Sequence, residues 1–259
     1  MEDKELIIIA LAAVGLLSLV IVGAAVLLVS TYPEILAGAG SQKTKMLVIG
    51  STSQEVINIL NDNRDIIDYR LLTTQALEAN PSAELAQYDI VMLDQSEEAS
   101  KEASRKLGEA VQNFVKGGGK FILVLDSGIR RPDTSDVIGW KNTFGDVVPA
   151  ECDRVINNQS TCTNRIIVRG KIYAEKADHP IMEGIPQFPA DPSTVATFET
   201  FDVAVDGKEI AYIQSAGVDK KSYPAIVEKP LLKGKVIYFN YNPGVTRGIF
   251  ESTLNYLGG

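Results

Sequence analysis

Asp94, Asp126, Ser127 and His179 are the residues whose types and positions suit acid–base or nucleophilic chemistry. Asp94 closes the strand-like run Tyr88–Leu93, and Asp126 closes the run Lys120–Leu125. A carboxylate at such a place can exchange a proton, hold a hydroxyl or ligate a cation. Ser127 follows Asp126 directly. A serine becomes a nucleophile only beside a base, and His179 is the only histidine in the chain. The residues around Ser127 do not form G-x-S-x-G, so a turn-capping role competes with the catalytic one. His179 lies in the turn Asp178-His179-Pro180, where packing against a backbone group competes with ligand contact. Gly128, Arg130 and Arg131 extend the turn after Asp126. Two guanidiniums there can receive a carboxylate, a phosphate or an acidic sugar, or they can pair with Asp133 or Asp136. The sequence therefore offers Asp126, Ser127 and His179 as catalytic candidates, and Asp94, Gly128, Arg130 and Arg131 as ligand contacts.

Composition excludes several classes. The formal net charge is −8 with no basic cluster, which argues against nucleic acid, because phosphate binding needs concentrated Lys and Arg. One His and two Cys cannot build a Cys/His zinc site. No metal and no cofactor are expected. Lys43-Thr44 after Gly40 has the wrong spacing for a phosphate loop. Cys152 and Cys162 bracket a short polar segment, a spacing that suits a disulfide across a hairpin or loop; two free thiols are the alternative. Asn158-Gln159-Ser160 between them is a glycosylation sequon. Disulfides persist outside the cytosol, which places the C-terminal part on the outer face, although hyperthermophiles also keep disulfides inside the cell.

Residues 6–30 carry no charge. As a helix at ~1.5 Å per residue this run reaches roughly 37 Å, more than the ~30 Å hydrocarbon core. The acidic flank (Glu2, Asp3, Glu5) and the length do not fit a cleaved signal peptide. The expectation is a single-pass membrane helix over 1–31 with the lipid bilayer as partner through 6–30, a stalk over 32–44, and a folded domain over 45–259. Glu5 before a long apolar helix also resembles a mature type IV pilin, but Glu2, Asp3 and Lys4 do not fit that pattern.

The elements that must position the candidates alternate. Met46–Gly50 reads as a buried strand, Ser53 as the cap of a helix bearing Val56, Ile59 and Leu60, and 69–72, 88–93 and 120–125 as further strands. Residues 97–116 read as a long amphipathic helix ended by Gly117-Gly118-Gly119. A helix over 133–144 would carry Trp140. Val155-Ile156 and Ile166–Val168 would pair around the cysteine loop. Strands are expected over 195–205, 209–214, 223–228 and 235–240, and a closing helix over 247–257. Alternation of this kind predicts an α/β fold with a mostly parallel sheet, helices on both faces and β-rich additions.

Three segments in order resemble the class I glutamine amidotransferase-like superfamily, in its divergent ThuA-like branch. They are FVKGGGKFILVLDSG (114–128), ADHPIMEGIP (177–186) and GKVIYFNYNPG (234–244). The resemblance spans roughly 45–259. It implies a flavodoxin-like sheet with ligands at the carboxyl ends of its strands, a location that open parallel sheets share in general. It also implies a nucleophilic Cys on the turn after Lys120–Leu125. Asp126 stands about there instead, so the Cys-His device is missing. The reading favoured is a non-catalytic, membrane-anchored binding or scaffold domain on the outer face, acting with a protein partner in an envelope complex or in glycan binding. A surface hydrolase or sugar-modifying enzyme using Asp126, Ser127 and His179 is the alternative, and a pilin-like filament subunit is a second.

Overall fold

Met46, Leu47, Val48 and Ile49 are all fully buried, which a strand with one wet face could not show. They belong to β1 (Thr44–Ile49). The structure, a computed structural model, describes residues 43–134, 136–152, 155–156 and 159–259. In chain order the other strands are β2 (Ile67–Leu72), β3 (Ile90–Leu93), β4 (Lys120–Val124), β5 (Ala150–Glu151), β6 (Val155–Ile156), β7 (Gln159–Ser160), β8 (Ile166–Ala174), β9 (Gln187–Phe188), β10 (Ala196–Thr200), β11 (Ala204–Val205), β12 (Lys208–Ser215), β13 (Ser222–Leu231) and β14 (Gly234–Phe239). The α-helices are α1 (Gln54–Asp62), α2 (Pro81–Leu85), α3 (Arg105–Lys116), α4 (Trp140–Phe144) and α5 (Arg247–Gly258).

A 10-stranded sheet runs β10-β8-β12-β13-β14-β4-β3-β1-β2, with β9 added on β8. Only the half from β14 to β2 is parallel, through the pairs β14–β4, β3–β4, β1–β3 and β1–β2. The pairs β13–β14, β12–β13, β12–β8, β10–β8 and β8–β9 are antiparallel. The expected mostly parallel, flavodoxin-like sheet is thus corrected to a mixed one. The physical reason lies at Leu232 and Lys233. Leu231 pairs with Gly234, so only two residues join β13 to β14. Such a short connection can make only an antiparallel hairpin, since a parallel return needs a crossover of a dozen residues or more. β14 is therefore the seam, parallel to β4 on one side and antiparallel to β13 on the other.

The helices are capped as their sequences direct. The Ser53 side chain accepts from the Val56 N–H, and Ser104 accepts from the Leu107 N–H at 3.2 Å. α3 therefore begins at Arg105, and the expected start near 97 is corrected. Residues 95–103 form a loop whose shape depends on Lys101, described below. The helix expected over 133–144 contracts to α4. Packing divides the helices into two groups: α1 lies against α5, and α3 contacts both α2 and α4. Gly108 makes the approach of α3 to α4 possible, because a Cβ there would lie 1.9 Å from the Thr143 carbonyl oxygen. β6 pairs with β7 and not with β8, which is built into the main sheet.

The single-pass helix expected over residues 6–30 lies outside the described residues. No helix among the described residues is long and apolar enough to cross a membrane. The longest have 12 residues, short of the ~20 that a span needs, and the described residues form a mixed α/β domain. Thr44, expected in the stalk, already belongs to β1. Residues 43–259 form one compact unit.

Candidate functional site

The carboxyl ends of β3 and β4 lie side by side, because Leu93 pairs with Leu123. Chain leaving β3 meets chain leaving β4 at once. The Gln95 backbone N–H donates to Ser127 Oγ at 2.8 Å, and Gln95 Oε1 accepts from the Gly128 N–H at 2.8 Å. Gln95 Nε2 donates to the Glu102 carbonyl and to Glu98 Oε2, both at 3.0 Å. The Trp140 indole N–H donates to the Ser127 carbonyl at 3.0 Å. Ser127, Gln95 and Trp140 are all buried. Ser127 thus acts as a tie between two strand exits, the turn-capping role its sequence allows. Gly128 takes φ +64°, and a Cβ on it would lie 2.6 Å from the Phe144 ring, so it serves the packing of the turn.

The strained position of this turn is Leu125, with φ +50° in a residue that is not glycine. A strand-end turn of this sort is where hydrolases of open α/β sheets display their nucleophile. Here the side chain held there is a buried leucine.

Asp94 is fully buried. It accepts from the Thr52 hydroxyl and from the Ser96 N–H at 2.9 Å. Burial raises its pKa, and these hydrogen bonds partly offset the rise. Arg131 is buried against Asp133, with Nε 2.8 Å from Oδ1, and against the Asn142 carbonyl at 3.2 Å. Neither Asp94 nor Arg131 faces solvent.

His179 lies apart from Ser127. Its Nδ1 accepts from the Ile181 N–H at 3.3 Å, so the proton of the neutral ring is on Nε2, which points at Glu228 Oε2 at 3.3 Å. Tyr256 packs edge-on at 5.0 Å and donates to Glu228 Oε1 at 2.7 Å; Lys235 Nζ reaches the Tyr256 hydroxyl at 2.6 Å. Glu228 pairs with Ile237 in the middle of β14, short of the strand ends that carry Asp126 and Ser127. Burial lowers the His179 pKa against the opposing pull of Glu228. Asp94, Asp126 and His179 do not converge, and among the described residues no group of three such ligands could hold a metal.

Asp126 and Arg130 are the candidates that the structure brings to a common opening. They border a cleft of about 680 Å³ together with Lys101, Glu102, Thr163 and Arg165. Lys101 Nζ lies 3.9 Å from Asp126 Oδ1 and is anchored on the Gln95 carbonyl and, at 3.1 Å, the Ser96 carbonyl. Burial raises the Asp126 pKa, while Lys101, Arg165 and Arg130 pull it back. The far wall comes from the cysteine loop. Cys152 and Cys162 are disulfide-bonded, as their spacing suggests, with Cα atoms 5.4 Å apart. Cys162 is buried, and the chain leaves it through Thr163 to Arg165. Asn158 lies outside the described residues.

Lys101, Gln95 and Arg165 are not evident as site residues in the sequence. Lys101 falls in a stretch that reads as helix. The signal for Arg165 is its place just beyond Cys162, in a loop that the disulfide fixes.

No family model matches the chain, and no curated protein matches it. Solved structures do. A cytoplasmic protein from Salmonella typhimurium is similar with TM-score 0.53 at 13% identity, over 82% of this chain and 98% of that one. A β-galactosidase from the haloarchaeon Halorubrum lacusprofundi is similar with TM-score 0.51 at 12% identity, over 84% of this chain and 30% of that one. A β-galactosidase from Bacillus circulans gives TM-score 0.50 at 12% identity, over 82% and 31%. The chain thus spans about a third of the length of these β-galactosidases. At such identities the likeness is one of fold.

Proposed function

We propose that the domain is a non-catalytic binding module working in an oxidising, extracytoplasmic setting, with its ligand face at the cleft beside Asp126. One observation carries this reading: the groups that covalent catalysis would need are committed elsewhere. The Ser127 hydroxyl holds the Gln95 N–H. The His179 ring is engaged by Ile181 and Glu228. The strained turn position is filled by Leu125. A nucleophile and its base must lie within hydrogen-bond reach, and no such pair stands at the cleft among the described residues. The Cys152–Cys162 disulfide supports the oxidising setting. The domain is, on this reading, a divergent relative of the amidotransferase-like superfamily that has kept a strand-end cleft and lost the Cys-His device. Its ligand belongs to an envelope glycan or an envelope complex.

The test is a glycan array probed with the full chain, followed by mass analysis of the retained sugars. Retention of unaltered glycan supports the module. Cleaved or modified glycan overturns it.

A further inference from the structure

Three cations, Lys101, Arg130 and Arg165, and three acids, Asp126, Glu98 and Glu102, line the cleft. Lys101 Nζ is 3.9 Å from Asp126, and Arg130 and Arg165 border the same opening. Glu98 accepts from Gln95 Nε2, and Arg165 shares an exposed ion pair with Glu199 at 3.2 Å. Arg130 is exposed and makes no ion pair with any described residue. Its backbone is nonetheless fixed. Arg130 N–H donates to the Lys101 carbonyl at 3.2 Å, its carbonyl accepts from the Ala103 N–H at 3.0 Å, and it bridges both Glu102 and Ile138. The guanidinium therefore projects from a rigid base, so little backbone ordering opposes ligand capture.

The lining chemistry narrows the ligand. Among the described residues no aromatic ring borders the cleft, so none of them offers stacking on a sugar face there. Hydroxyls of Ser100 and Thr163 and the Asp126 carboxylate offer partners for ligand hydroxyls. Guanidinium forks match carboxylates in a bidentate way. The volume of about 680 Å³ suits a ligand of one or two sugar rings.

We infer that the cleft binds a carboxylate-bearing sugar, its carboxylate between Arg130 and Arg165 and its hydroxyls on Asp126. The inference rests on the binding reading of the same cleft. Lys101 is a positioning residue: it holds the Gln95–Ser96 carbonyls and sets the place of Asp126.

Calorimetric titration of the full chain tests this with three probes: digalacturonate, neutral cellobiose and inorganic phosphate. Digalacturonate is expected to bind, with cellobiose weaker by about tenfold or more, the scale of losing a charge-assisted hydrogen bond. Arg130→Ala and Arg165→Ala should each weaken digalacturonate by about tenfold, Arg130→Lys should weaken it less, and Arg64→Ala, remote from the cleft, should leave it unchanged. Failure of digalacturonate to bind, equal binding of cellobiose, or indifference to Arg130→Ala overturns the inference. Phosphate binding as tightly as digalacturonate, with the same arginine dependence, overturns the sugar assignment. Product analysis of the titrated probes keeps the two claims apart: a chemically altered probe refutes the non-catalytic reading, whatever the affinities.

Discussion

The Ser127 hydroxyl accepts the Gln95 backbone N–H at 2.8 Å, and the Gln95 side chain returns the bond by accepting the Gly128 N–H at the same distance. This reciprocal bracket fastens the exit of β4 to the exit of β3 inside the core. The serine of the turn is thereby part of the frame that holds Asp126 at the cleft.

Ser127→Ala removes the acceptor and leaves the buried Gln95 N–H without a partner. The cost of such an orphan is about 1–3 kcal/mol. Denaturant midpoints should fall accordingly. An unchanged midpoint would show that the bond does not hold the turn.

The disulfide closes a loop of sequence separation 10 and ends in the buried Cys162. Chain-entropy reasoning gives roughly 2–3 kcal/mol for a loop this short. The Cys152→Ala/Cys162→Ala pair should unfold at a lower temperature while keeping its far-ultraviolet dichroism. Digalacturonate affinity should fall with it, because Thr163 and Arg165 lie just beyond Cys162. Full affinity in the double variant would remove the disulfide from the site's construction.

His179 gives a pH signature. Burial sets its folded pKa below the unfolded value of about 6.5, and Glu228, Lys208 and Lys235 are the charges that face it, with Tyr256 packed on the ring. The unfolded chain therefore takes up the proton first as pH falls. Its contribution to stability is full above about pH 6.5 and is lost progressively below that value. Asp94 and Asp126 act with the opposite sign, since their raised pKa values favour the fold at low pH. His179→Gln should flatten the decline between about pH 6.5 and 5 relative to wild type. Parallel slopes in the two proteins would contradict this.

Gly108→Ala places a Cβ 1.9 Å from the Thr143 carbonyl. Overpacking of this kind costs about 1–3 kcal/mol, and a backbone atom cannot rotate away. A drop in thermal midpoint is expected. Stabilisation by the better helix former would mean that α3 and α4 are looser than described.

The parallel half of the sheet was legible because its strands centre on apolar runs: 46–50 for β1, 88–93 for β3 and 120–125 for β4 all fall on or next to the observed strands. The closing helix over 247–257 and the cysteine pair were legible for similar local reasons. The antiparallel half was read as strands but not as part of the same sheet. Periodicity shows which face of a strand is buried, and not which neighbour it pairs with; only the two-residue link between Leu231 and Gly234 carried that information. Residues 97–104 misled because their polar–apolar pattern continues that of α3, while the Ser104 cap marks the true start. His179 and Ser127 were candidates by type alone. Their separation follows from tertiary placement, which puts Glu228, and not Ser127, beside the imidazole. Arg165 was missed because its one local mark, a place just beyond Cys162, names no role; the fold brings it to the cleft of Asp126.

The central claim is that the Asp126 cleft binds without catalysing, and a turnover assay on the full chain tests it most directly. Wild type and Asp126→Asn are compared on glutamine, an ester and a glycoside, with product measured against an enzyme-free blank. The account predicts the same background rate for both proteins on every substrate. A rate above the blank that Asp126→Asn abolishes would contradict it.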